Sequence, residues 1–356
     1  MMHLDVQRSA RQSADGLRAL WAGVEPMLRA ADIAFGNLEA PVAPVSGQPG
    51  RAFQFNGPAG LPAALRASGF TVLATANNHA YDQGAQGVAE TLERLQAEQL
   101  VAVGSGATRA QAEAARIVEV KGLRVAFLAF TDLFNVNLNR GDGEPWVRPL
   151  DAVDAADAVR RARPGADAVV VSLHWGTEYS HQPTARQRAV AARLAEAGAD
   201  LILGHHPHVL QPVEWIEAGG RRTLVAFSMG NFIANQDRGY RADRFPVAEG
   251  DSRDGVAVQC RLVKRRQADG SERVLVEDAA CEPLWTHNNW AEYASGRARA
   301  REIRVTPVGV AIAAARTELE RMQGAGADPA GLRARRELLR TLELRRQRAR
   351  EILGSP

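Results

Sequence analysis

The run Ala199-Asp200-Leu201-Ile202-Leu203-Gly204-His205-His206-Pro207-His208 decides how the chain is read. Its apolar part has the length and composition of a short buried strand. Its polar part places three of the chain's eight histidines within four residues, directly after that strand. Open α/β folds hold ligands at strand ends. A His-x-His pair there can aim two imidazoles at one point, and imidazole is the commonest metal ligand among side chains. A polar loop with a local excess of histidine is the other reading.

Outward from this run the same pattern recurs. Ile33–Gly36 reads as a strand with Asn37-Leu38-Glu39 at its end, and Phe70–Ala76 as a strand followed by Asn77-Asn78-His79. The all-apolar Ala168–Val171 leads to His174-Trp175-Gly176, with Glu178 and Tyr179 just beyond. Val209–Ile216 and Thr223–Phe227 follow as strands, and Ser228-Met229-Gly230-Asn231-Phe232 closes the set. Apolar residues at helical spacing predict helices over 15–28, 61–68, 84–99, 152–162 and 184–197. Residues 116–120 and 125–130 predict a hairpin about Lys121-Gly122. Strand, polar loop and helix in repetition specify an α/β fold. The loop 131–150, rich in Asn, Gly and Pro, has a length that in compact domains is usually functional.

From about residue 235 the character changes. Residues 256–262 and 273–276 read as a hairpin, 283–290 as a Trp/His/Asn loop, and 308 onward as helical. The last stretch, 333–350, has many arginines and few apolar positions. It reads as a solvated basic helix covering an edge or a partner. The expected organisation is a domain over 1–240 and an extension over 241–356 packing on it.

Composition is that of a globular protein, with 46% hydrophobic and 24% charged residues in 356. A net charge of +3 does not point to nucleic acid. Cys260 and Cys281 match no zinc-ligand spacing, and one disulfide between them stays open. No run approaches the roughly 18–20 apolar residues of a membrane span. The polar stretch Met1–Gly16 is not a signal peptide.

Glu39, Asn78, His79, His174, His206 and His208 all follow buried strands and can converge on one sheet edge. A lone histidine at a strand end is more often structural, but four loops with one chemistry are hard to reach by accident. Carboxylate, amide oxygen and imidazoles together suit a two-metal hydrolytic site. There, paired divalent ions activate water and stabilise a leaving oxygen.

Asn37-Leu38-Glu39-Ala40-Pro41, Ala76-Asn77-Asn78-His79-Ala80-Tyr81-Asp82, His174-Trp175-Gly176-Thr177-Glu178-Tyr179, Gly204-His205-His206-Pro207-His208-Val209 and Ser228-Met229-Gly230-Asn231-Phe232 resemble, in order and spacing, the successive motifs of the CapA family. These are capsule, or poly-γ-glutamate, synthesis proteins. The resemblance covers about residues 1–235. It implies a four-layer α/β/β/α metallophosphatase-like (calcineurin-like) sandwich, here with a C-terminal hairpin and helical extension. It implies two divalent metals (Mn, Fe or Zn), with Glu39, Asn78, His174, His206 and His208 as ligands and His79 as an acid near the leaving group. His3, Asn37, Asp82, Glu178, His205 and Asn231 are implied to support the ligands or touch substrate. The family opens with a strand ending in Gly-Asp, whose Asp is a metal ligand. Met1-Met2-His3 looks like the tail of that motif, so the expectation is a natural start upstream of Met1. The implied function is hydrolysis or transfer on a phosphoester or an anionic capsule polymer. Other capsule synthesis proteins are implied partners, and the implied place is the cell envelope. A non-catalytic assembly or polymer-binding factor that keeps the pocket is the alternative.

Overall fold

Every residue of Ala168–His174 is buried. A strand with both faces apolar needs cover on both sides, which a parallel sheet between two layers supplies. In the computed structural model, which describes residues 1–267, 270–325 and 328–354, this strand lies inside a six-stranded sheet. It pairs in parallel with Leu123–Thr131 on one side and Leu201–His205 on the other. Arg221–Ala226 adds in parallel to Leu201–His205, and Val213–Ala218 closes that edge antiparallel. Arg116–Val120 closes the opposite edge as the expected hairpin. A second, smaller sheet consists of Phe35–Asn37, Val72–Ala74 and Val101–Val103, all parallel.

The two sheets pack face to face. Val72, Ala74 and Val103 of the small sheet share one core with Val125, Phe127, Val170, Leu201 and Leu203 of the large sheet. The other face of the large sheet is covered by helices Ala152–Ala162 and Ala185–Ala197 through Val159, Val190 and Leu194. The outer face of the small sheet meets Leu61 and Leu65 of helix Leu61–Ala67 and Leu95 of helix Gly84–Ala97. This is the expected α/β/β/α layering. Local chemistry sets the boundaries. Helix Ala185–Ala197 starts at a reciprocal capping box between Thr184 and Gln187 and stops at Gly198, whose φ is +106°.

Three local expectations are corrected. The 15–28 segment is a 3-10 turn, Gly16–Leu20, and a separate helix, Glu25–Ala30, because Pro26 in the first turn starts a new helix. A helix over Leu4–Arg11 precedes it. The C-terminal hairpin is larger than expected. Asp254–Arg266 and Glu272–Asn288 pair antiparallel, and Ile303–Pro307 adds a third strand. The 283–290 segment is therefore mostly strand, with Leu284, Trp285 and Thr286 buried. Helices Val308–Gly324 and Pro329–Leu353 pack against this sheet, and Ala349 and Leu353 reach the inter-sheet core. Cys260 and Cys281 are both unbonded.

Gly204 shows how closely the strand ends are set. A Cβ there would lie 1.9 Å from the Phe227 carbonyl oxygen and 2.7 Å from Trp175 Nε1, which itself donates to that oxygen at 2.9 Å. The obstruction is backbone and cannot swing away. Gly204→Ala is expected to destabilise the chain by about 3 kcal/mol or more, at the upper end of overpacking costs. Thermal denaturation checks this, and an unchanged melting temperature would contradict the packing described.

Candidate metal centre

Parallel pairing brings the chemistry to one edge. Register aligns Thr131 with His174 and His174 with His205, so these residues end neighbouring strands side by side. Asn37 ends the edge strand of the small sheet. The loops that follow from both sheets meet in the cleft between them.

Glu39 is at the centre. It is 7% exposed, and its Oε1 has no hydrogen-bond partner. His208 Nε2 lies 3.6 Å and His174 Nε2 3.8 Å from that oxygen. Asn78 Oδ1 is 2.9 Å from His174 Nε2. The Glu178 carboxylate and the His206 and His208 rings place one ligand atom each within 4.8 Å of one another. His206 Nδ1 is buried without a partner, as are His174 Nδ1 and His205 Nε2. A buried polar atom with no partner costs about 1–3 kcal/mol, and more when charged. A divalent cation between the carboxylate and the imidazoles removes that cost, and the donors are those such ions take. The side chains therefore fit a divalent metal.

Hydrogen bonds around the cluster set its protons. Asn231 Nδ2 donates to Gln236 Oε1 at 2.6 Å and to the Ser252 carbonyl at 2.8 Å, which fixes the amide's orientation. Its Oδ1 then faces His208 Nδ1 at 3.1 Å. His208 must carry its proton on Nδ1, which leaves the Nε2 lone pair pointing toward Glu39. His79 Nδ1 is 2.8 Å from Asp82 Oδ2, which also accepts from the Phe55 N–H at 2.6 Å. This arrangement directs the His79 Nδ1–H at a carboxylate. Asn37 Nδ2 donates to Glu39 Oε2 at 3.4 Å, and Asn37 Oδ1 accepts from Asn77 Nδ2 at 3.3 Å. His3 Nδ1 accepts from the Asn235 N–H at 3.1 Å, and the His3 ring packs edge-on to Phe55, which lies against His79. His205 packs its ring near Phe35 of the facing sheet. The loop bends through left-handed backbone at His206 (φ +99°) and His208 (φ +58°), and Tyr179 shares that conformation at +60°.

The structure thus gathers Glu39, Asn78, His174, His206 and His208, and sets Asn37 and Asn231 against them. Glu178, expected only as a support, stands among the donor atoms. The histidine of the 283–290 segment, His287, lies on the C-terminal sheet opposite Arg304. Asn135 had no signal of its own beyond the length of its loop. It exchanges hydrogen bonds with Asn78, side chain to side chain at 3.1 Å and N–H to carbonyl at 3.1 Å. Its Nδ2 lies 3.4 Å from both His79 nitrogens. Tyr179, half exposed, accepts from Gln236 Nε2 at 3.0 Å and lies with its ring 6.2 Å from that of His208.

The family model described as "Bacterial capsule synthesis protein PGA_cap" matches residues 1–236. The "PGA biosynthesis protein CapA" of Bacillus subtilis (strain 168) is 36% identical over 239 residues, covering 66% of this chain and 61% of that one. The "Capsule biosynthesis protein CapA" of Bacillus anthracis is 37% identical over 177 residues, covering 49% of this chain and 42% of that one. The chain thus spans less than two thirds of these relatives' lengths. Among solved structures, a 5'-nucleotidase precursor from Thermus thermophilus overlays with a TM-score of 0.41 at 17% identity, covering 77% of this chain and 48% of that one.

Burial sets the charge of two of these imidazoles. It pushes His205 down to about 4, against the pull of the Glu39 carboxylate. It pushes His3 down to about 3, helped by the N-terminal amine, His208 and His79. Folding holds both rings neutral, whereas the unfolded chain protonates them near the ordinary value of about 6.5. Their stabilisation is complete above that value and is lost as pH falls toward the folded values. In metal-free protein, their ring NMR shifts should stay flat from about pH 8 to about pH 5.5. A midpoint near 6.5 for either ring would contradict its burial.

Proposed function

The chain belongs to the bacterial capsule synthesis protein family, and from that membership we propose that it is a divalent-metal-dependent hydrolase or transferase. Its substrate is a phosphoester or an anionic capsule polymer. The observation that carries the proposal is the unpartnered, buried Glu39 Oε1 with the Nε2 atoms of His174 and His208 facing it at 3.8 and 3.6 Å. Such an oxygen calls for a positive charge, and the cluster holds no Lys or Arg among its members.

In this reading Glu39, Asn78, His174 and the His208 Nε2 would hold one ion, and the neighbouring Glu178 and His206 would offer donors to a second. Bound divalent metal would acidify a water and stabilise charge on the leaving oxygen. The chain's own residues supply the remainder. Asn231 keeps His208 in the tautomer whose Nε2 is free. Asn135 and Asn78 grip each other, so that the Asn78 carbonyl oxygen stays turned toward His174. Asp82 orients His79 through Nδ1, which leaves Nε2 to carry a proton to or from the leaving group. The small Asn37 to Glu39 contact steadies the carboxylate's other oxygen.

Metal analysis of the purified chain should find one to two equivalents of Mn, Fe or Zn, with turnover of a generic phosphodiester such as bis(4-nitrophenyl) phosphate. Glu39→Gln and His208→Ala should each lower kcat/KM by about a hundredfold, in line with loss of a ligand or its support. Less than one equivalent of metal together with no hydrolysis would sink the proposal.

A further inference from the structure

Helix Pro329–Leu353 lies outside the residues that the family model matches, and its arginines read as a solvated face. Two of them engage buried carboxylates instead. Arg345 is fully buried, stacked beside the rings of Trp285 and Tyr240. It donates to both oxygens of Asp254, to Asp251 Oδ1 at 2.7 Å and to the Val247 carbonyl. Arg348 donates to Asp251 Oδ2 at 2.9 Å. Both carboxylates are almost fully buried. Burying two carboxylates and a guanidinium is expensive unless the charges are paired as closely as this.

The segment these arginines grip is the one that holds the candidate centre. Asn231 N–H donates to the Asp254 carbonyl at 3.0 Å, and Asn231 Nδ2 donates to the Ser252 carbonyl at 2.8 Å. Asn231 in turn fixes the His208 tautomer. A second arm leaves Asp251. Its Oδ2 is 2.8 Å from His181 Nε2, while His181 Nδ1 is 2.7 Å from the Leu210 carbonyl. Both ring nitrogens face acceptors, so the geometry requires both to carry protons. His181 therefore ties the loop bearing Glu178 and Tyr179 to the stretch just after His208. On that side the Tyr179 N–H also donates to the Pro207 carbonyl at 2.7 Å.

We infer that Arg345 and Arg348 of the C-terminal helix are positioning residues of the candidate centre, acting through Asp254, Asp251 and Ser252 on Asn231 and His208, and through His181 on the Glu178 loop. The role rests on the proposed metal centre for its purpose but not for its geometry. The C-terminal helix is then part of the site's machinery and not a separable appendage.

The test uses the full chain, with ring 15N NMR of the histidines in metal-free protein and Co2+ titration followed by its d–d absorption. Arg345→Met should move the His208 ring resonances away from the Nδ1–H pattern and weaken Co2+ binding about tenfold or more, as loss of support around a ligand does. Arg345→Lys, which keeps a cation for Asp254, should fall between. Arg348→Met, at a partly exposed position tolerant of change, should move the His181 resonances. Arg316→Met removes an exposed ion pair to Glu343 of the C-terminal helix and should leave both histidines unchanged. His208 and His181 resonances that stay put in Arg345→Met and Arg348→Met, with circular dichroism showing a folded chain, overturn the inference whether or not metal binds. Absence of Co2+ absorption in the unmodified chain overturns the metal reading alone, since the ring resonances still report the clamp.

Discussion

A carboxylate oxygen buried among imidazoles, with no donor of its own, is the constraint around which this molecule is arranged. Glu39 Oε1 occupies that position. Bringing it there requires the parallel strands of two sheets to present their C-terminal ends to a common cleft. That in turn requires strand pairing close enough that residue 204 has no room for a side chain. The apolar cores on either side of the large sheet hold the sheets at that spacing. Polar partners such as Asn231, Asn135 and Asp82 then remove rotational freedom from the rings and amides that face Glu39. Packing sets the distances and hydrogen bonds set the tautomers, and neither alone makes a usable set of donors.

Much of this was readable from residues alone, for identifiable reasons. Ala168–Val171 and Leu201–Leu203 are apolar without interruption, which only a doubly covered strand tolerates, and the polar run after each marks where the sheet ends. Helix Ala185–Ala197 carries its own start and stop signals in Thr184, Gln187 and Gly198. Other parts carry no local signal. Asp251 and Arg345 are 94 residues apart and meet only because the C-terminal helix folds back onto the sheet. One arginine on an arginine-rich polar helix looks like its neighbours until its partner is known. The 283–290 segment misled for a related reason. Its Trp, His and Asn residues suggest a loop, but its strand identity comes from pairing with Ile303–Pro307, a cross-strand effect that a single run does not encode. Glu178 lies beyond the strand end, where position is fixed by the loop's path and not by register, so the residue sequence alone does not place it among the donors.

The relation between the two parts of the chain also looks different once contacts are considered. Family similarity ends near residue 236, yet the physical molecule does not. Ala349 and Leu353 contribute to the inter-sheet core, and the buried arginine joins the last helix to residues beside the cleft. Sequence similarity and mechanical coupling thus have different boundaries here.

The left-handed backbone of His206 and His208 has a consequence for how such a chain can change. A residue with a Cβ held at φ +99° or +58° gives up on the order of 1 kcal/mol relative to a relaxed conformation. Glycine would release that strain at both positions and asparagine much of it, but neither carries an imidazole. Selection for thermal robustness alone would therefore drift toward small residues at positions 206 and 208 and take two imidazoles from the cleft. At these two positions, durability and chemistry pull a lineage in opposite directions.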